Sequence, residues 1–137
     1  MTHRYLPHTA DIRVEIEGAT IGALFEEAAE VLRELVAGSG TVVAQEERRW
    51  KANGPDRGEL LLSLLQELLY AHASDGFLPA RITVERLDAT SAEGSVVGEV
   101  FDPSRHEQQP EVKAITRHGL VVEPGPTGWR AEIVFDV

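Results

Sequence analysis

Asp11, Asp136, the chain end at Val137 and the stretch EVKAITRH over residues 111–118 carry the side chains with which this sequence could do chemistry. Asp11 closes a crowded polar approach, Pro7-His8-Thr9-Ala10-Asp11, directly ahead of an alternating apolar run, and Asp136 closes another such run at the far end of the chain. Two aspartates and a terminal carboxylate are hard oxygen donors, suited to Ca2+ or Mg2+ rather than zinc. Aspartates at strand ends also simply stop strands and cap turns, and the residues alone leave both readings open. In EVKAITRH a two-residue period puts Lys113, Ile115 and Arg117 on one face and Ala114, Thr116 and His118 on the other. Polar groups on both faces suit a strand lying over a cleft, or an edge strand shielded from aggregation by Lys113 and Arg117.

Other chemistries leave no trace. The chain has no GxxxxGK[ST], GxGxxG, GxSxG or HExxH. His3, His8, His72, His106 and His118 are scattered without ligand spacing, which argues against zinc. The absence of cysteine excludes disulfides, thiolate sites and cysteine nucleophiles. Thirteen basic against 23 acidic side chains give a net charge of −10. That charge repels phosphate backbones, so strong direct nucleic-acid binding is not expected. The tight basic cluster Arg48, Arg49 and Lys51 is preceded by Glu46 and Glu47. A basic protein partner or a divalent cation is the natural counterpart, although the same charge also serves solubility.

The elements that must position these residues read as one α+β domain over residues 1–137. Ile12, Val14 and Ile16 alternate with Asp11, Arg13 and Glu15 as in a half-buried strand. Thr20 then caps a helix with an apolar stripe of Leu24, Phe25, Ala28, Val31, Leu32, Leu35 and Val36, with Glu26 and Glu27 towards its positive end, stopped at Gly38-Ser39-Gly40. Thr41–Lys51 reads as a strand and Asn53-Gly54-Pro55-Asp56 as a turn. A second helix carries Leu61, Leu64, Leu65, Leu68 and Leu69, a stripe widened by Leu60 and Leu62. Strands over 81–87, 94–101, 112–122 and 129–136 follow, with a polar loop at 102–110. The order is strand, helix, strand, helix, four strands, with two helices covering one side of a mixed, largely antiparallel sheet. Pairing of the first and last of these strands would bring Asp11 and Asp136 together. There is no basic leader followed by an apolar run, and Leu60–Tyr70, broken by Ser63, Gln66 and Glu67, is too short to span a bilayer. No membrane association and a cytoplasmic location are expected.

Over its whole length the sequence resembles the archease family, small cytoplasmic proteins that assist RtcB-type RNA ligases. The resemblance rests on His8-Thr9-Ala10-Asp11, the helix GELLLSLLQELLYAHA (58–73), GEVFD (98–102), EVKAITRHGL (111–120) and the final WRAEIVFDV (129–137), in that order. Three positions depart from the family pattern: Leu64 and Gln66 stand where the second helix has tryptophan and asparagine, and Arg117 where the EVKA motif has tyrosine. The resemblance implies a turnover factor that promotes guanylylation of the ligase in tRNA splicing and RNA repair. It implies a divalent-cation site on Asp11, Asp136 and Val137, occupied by Ca2+ with Mg2+ or Mn2+ as alternatives, and Lys113 near the functional end. His8, Thr9 and His118 are its expected supporting shell. The catalytic metal and the RNA would belong to the ligase. Two other readings compete: a stand-alone metal-dependent hydrolase using Asp11 and Asp136 as ligands and His8 or His118 as base, and an adaptor or chaperone-like module without a site.

Overall fold

In the computed structural model, which describes residues 2–6 and 11–137, the apolar alternation after Asp11 produces a strand whose Val14 and Ile16 are fully buried. It is the second strand of the chain. The order is β1 (Thr2–Leu6), β2 (Ile12–Gly18), α1 (Ile21–Ala37), β3 (Glu46–Asn53), α2 (Arg57–Asp75), β4 (Phe77–Leu87), β5 (Ser91–Val100), β6 (Ala114–Gly125) and β7 (Gly128–Asp136). The α+β class and the two helices on antiparallel strands are as the sequence indicates. The structure adds β1, whose THRYL sequence lacks an alternating apolar face and which lies at a sheet edge.

The strands form two sheets instead of one: β1-β2-β7-β6 and β3-β5-β4, with every pairing antiparallel and none parallel among the described residues. The division follows from occupancy. Both edges of β5 are taken, by β3 and β4, so the chain leaving β5 cannot add β6 there and pairs it with β7 instead. Each helix packs against strands of both sheets, α1 on β2, β7, β1 and β4, and α2 on β3, β4, β5 and β6. The helices therefore do not cover one side of a single sheet. This explains the consecutive Leu60, Leu61 and Leu62, all buried: α2 needs more than one apolar stripe. Leu64, a position of departure from the family pattern, is also fully buried and serves the core rather than a helix surface.

Local signals set the helix ends. Thr20 Oγ1 accepts the Ala23 N–H at 3.0 Å, and Asp56 accepts the Glu59 N–H at 2.9 Å. Gly38 and Gly76 close α1 and α2 at φ 66° and 80°, where a side chain would be strained. Strand β3 begins later than the apolar residues suggest, because Val43 and Gln45 turn their N–H groups to the Glu99 carboxylate and the Gly98 carbonyl. In β5, a Cβ on Gly98 would stand 2.0 Å from the Leu78 carbonyl oxygen, so only glycine admits the close approach of β4.

Edge strand β1 is held to α1 by side chains. His3 Nδ1 meets the Glu27 carboxylate, its Nε2 lies 3.2 Å from Glu34, and Tyr5 donates its hydroxyl to Glu34 at 2.7 Å. Donation from both ring nitrogens requires the imidazolium. Burial opposes that charge, but the bonds to Glu27 and Glu34 and their negative charge outweigh it, so the His3 pKa rises above 6.5. The clamp's contribution to stability is therefore complete below the unfolded-state value of 6.5 and is lost as pH rises through the higher folded-state value. Urea unfolding between about pH 6 and 9 checks this: His3→Gln should remove the decline that the wild type shows on the alkaline side of its maximum.

Candidate functional site

Strands from opposite ends of the chain meet at the site. Ile12 lies opposite Phe135 as the end pair of the β2–β7 ladder, and Asp11 and Asp136 are the residues next to that pair in sequence. On the other side of β7, Asp136 lies opposite Ala114, and its carbonyl accepts the Lys113 N–H at 2.7 Å. Residues separated by more than a hundred positions thus share one end of the four-stranded sheet. Directly opposed residues point to the same face of a sheet. Ile12 and Phe135 belong to the core side, and Asp136, the next residue along β7, turns to the opposite face. Asp136, Val137 and Lys113 are exposed, and Asp11 is half-buried.

His8 and Thr9 lie outside the described residues. His118 belongs to β6, beyond the residues that pair with the end of β7. It sits in the irregular part of β6 between Thr116 and Val121, where its N–H is taken by Thr116 Oγ1 at 2.9 Å. The two-face alternation expected across 111–118 starts late, since β6 begins at Ala114 and Lys113 precedes it. Arg117 turns away to α2, its Nε 2.7 Å from Glu59 in the helix's first turn. Gln66 is exposed on α2. Among the described residues, no group of three or more His, Cys, Asp and Glu side chains is gathered tightly enough to hold a metal ion. Any cation between Asp11 and Asp136 therefore needs further oxygens, from Val137, main-chain carbonyls or water.

At the end of β5 and in the loop that follows lies a buried polar network that motif reading passes over. Glu99, near the end of β5, is 3% exposed and His106 6%. The Glu99 carboxylate accepts from the Val43 N–H at 2.6 Å, from His106 Nε2 at 3.2 Å, from Gln45 at 3.5 Å and from the Arg105 guanidinium. The Arg105 bond does most to hold its pKa down, to about 2, with the Val43 and His106 donors adding to it against the cost of burial. The available signal was a carboxylate inside the apolar run VVGEV, followed within one loop by Arg105 and His106. A charge in a buried strand needs partners, and Arg105 is the nearest cation in sequence, with the His106 ring beside it.

A family model described as the archease protein family (MTH1598/TM1083) matches residues 3–137. The chain belongs to the archease family. A protein archease from Pyrococcus furiosus is 37% identical over 134 residues, covering 95% of this chain and 94% of its own. Another, from Methanopyrus kandleri, is 36% identical with 96% of each chain covered. The solution structure of Methanobacterium thermoautotrophicum protein 1598 superposes with a TM-score of 0.82 at 30% identity, covering 98% of both chains. The crystal structure of a Thermotoga maritima archease, titled a possible chaperone, gives a TM-score of 0.67 at 24% identity over 96% of this chain and 94% of its own, a likeness of fold. No helix among the described residues is long and apolar enough to cross a membrane.

Because Glu99 titrates below an ordinary carboxyl of 4.5, its stabilising effect is fully present above that value and is lost as pH falls towards about 2. Acid titration followed by circular dichroism checks the assignment. Glu99→Gln should lower stability at neutral pH and flatten the loss between about pH 5 and 2 that the wild type shows.

Proposed function

We propose that this protein activates an RtcB-type RNA ligase, promoting the step in which a ligase histidine takes GMP from GTP, by presenting the Asp11–Lys113–Asp136 end of its four-stranded sheet. The observation that carries the reading is the β2–β7–β6 register, which gathers two aspartates and a lysine from three distant segments at one end of the sheet. Family membership supplies the partner's class. The chain's net charge of −10 favours a protein or cation over RNA as its direct contact.

In this reading the Asp11 and Asp136 carboxylates hold a divalent cation, Ca2+ in the first instance, with Val137 as a further oxygen donor. Their chemistry fits a hard ion, which takes carboxylate and carbonyl oxygens. When bound, the cation supplies charge stabilisation for phosphate oxygens. The chain's own residues bind and orient. The aspartates fix a concentrated negative charge at the tip, and the Lys113–Asp136 main-chain bond holds the start of β6 against it. The Lys113 ammonium is a mobile point charge, suited to a triphosphate. Nucleophile, RNA and catalytic metal remain with the ligase. The description of the Thermotoga relative as a possible chaperone favours a second reading, an adaptor that works by binding alone.

A guanylylation assay with the host's RtcB-type ligase, with GTP under multiple-turnover conditions, separates these. Wild-type protein should accelerate turnover, while folded Asp11→Ala, Asp136→Ala and Lys113→Ala variants should lose about tenfold or more of that acceleration. Equal acceleration by the aspartate variants would favour the adaptor. Turnover of a phosphoester by the isolated protein would favour the hydrolase. For the cation, calorimetry with CaCl2 should show binding to wild type and none to Asp11→Ala. Saturating Ca2+ at a hundredfold over Kd should stabilise the wild type alone by about 2.7 kcal/mol.

A further inference from the structure

Between β5 and β6 the chain runs from Phe101 to Lys113 without regular structure. Connections of that length are uncommon in compact folds and are usually functional when ordered. This one carries the chain from the three-stranded sheet to the four-stranded sheet, and it is tied down along its course. At its start, His106 Nδ1 accepts the Asp102 N–H at 2.8 Å, so the ring proton sits on Nε2 and is donated to Glu99. The His106 ring also stacks, tilted, 5.7 Å from Phe101. In the middle, the Gln109 amide lies so close to Gly38 at the end of α1 that a Cβ there would meet it at 2.6 Å. At its end Val112 is buried and Lys113 donates to the Asp136 carbonyl.

Glu99 is the common anchor. Its carboxylate ties both the loop, through Arg105 and His106, and the segment before β3, through Val43 and Gln45, to β5. Every buried side-chain nitrogen and oxygen among the described residues has a partner, so removing one member of this network leaves an unmet buried group. Both side chains are more than nine-tenths buried, which keeps them from touching a partner protein directly.

We propose that Glu99 and His106 are positioning residues: by fixing the course of the β5–β6 loop they set Lys113 against Asp136, and so govern activation of the ligase without contacting it. The inference rests on the Asp11–Lys113–Asp136 end being the activating surface.

Two measurements test it separately. In the isolated protein, amide hydrogen exchange followed by NMR reads the Lys113 N–H directly. His106→Phe keeps a ring and removes both hydrogen bonds. It should speed exchange at Lys113 about tenfold while amides of the β2–β7 ladder keep wild-type protection. With the ligase, maximal acceleration should fall about tenfold while the concentration giving half of it stays within about twofold. His106→Gln, whose amide can still donate to Glu99, should recover most of both. The proposal is overturned if Lys113 exchanges no faster in His106→Phe, if the β2–β7 amides loosen equally, or if maximal acceleration survives a loosened Lys113. Should His106→Phe not fold, Glu99→Gln carries the same expectations and the same refutations. If wild-type protein accelerates no ligase, the functional reading fails, while the exchange data still decide whether Glu99 and His106 position Lys113.

Discussion

The antiparallel pairing of β2 with β7 is the interaction on which the rest depends. It joins segments from the two ends of the chain, and loop closure over that separation costs entropy that only a long, well-matched ladder can offset. The match is in the side chains. Val14 faces Ile133, Ile16 faces Ala131 and Ile12 faces Phe135, and nearly all of this set is fully buried. Because the strand period is two, a slip of one residue would turn these groups to the opposite face and separate Asp11 from Asp136. The hydrophobic register that stabilises the sheet is therefore the same constraint that assembles the candidate site.

The outer face of that ladder shows how charge is managed around it. Glu15 stands opposite Glu132, a repulsive pair if left alone. Arg130 bonds both, at 2.8 and 2.7 Å, while Arg4 binds Glu15 and Arg13 binds Glu132. These bonds lower the pKa of both glutamates, with Arg130 the largest cause in each. As exposed or half-exposed pairs they add little stability individually, but they cancel negative charge along the middle of the sheet. At the sheet end, by contrast, Asp136 and the chain end at Val137 are exposed.

Glu99 performs a related task in the interior. A single carboxylate links two irregular segments, 41–45 and 101–113, by accepting from Val43 and Gln45 of one and Arg105 and His106 of the other. Sheets and helices satisfy their own backbones, whereas long connections do not, so a buried acceptor with several donors is an economical way to hold them. The connection so held delivers Lys113 to the edge of β7, linking the interior of one sheet to the exposed end of the other.

Much of this was legible in the amino-acid sequence. Two-residue alternation marked β2 and β7, three- and four-residue spacing marked both helices, and Thr20 and Gly38 marked the ends of α1. Motif order pointed to the archease family, and the aspartates at the strand ends were visible as candidates. These are local properties, set by backbone geometry and by which face of an element must leave water. Other features were decided only in three dimensions: the edge strand β1, the split into two sheets, the irregular course of β6 around His118, and the Glu99–His106 network. Each depends on which edges are already occupied and on where a buried charge finds its donors. Short windows of sequence carry little of that information, because most partners come from other strands and loops; Glu99, with Arg105 and His106 close behind it, is the exception.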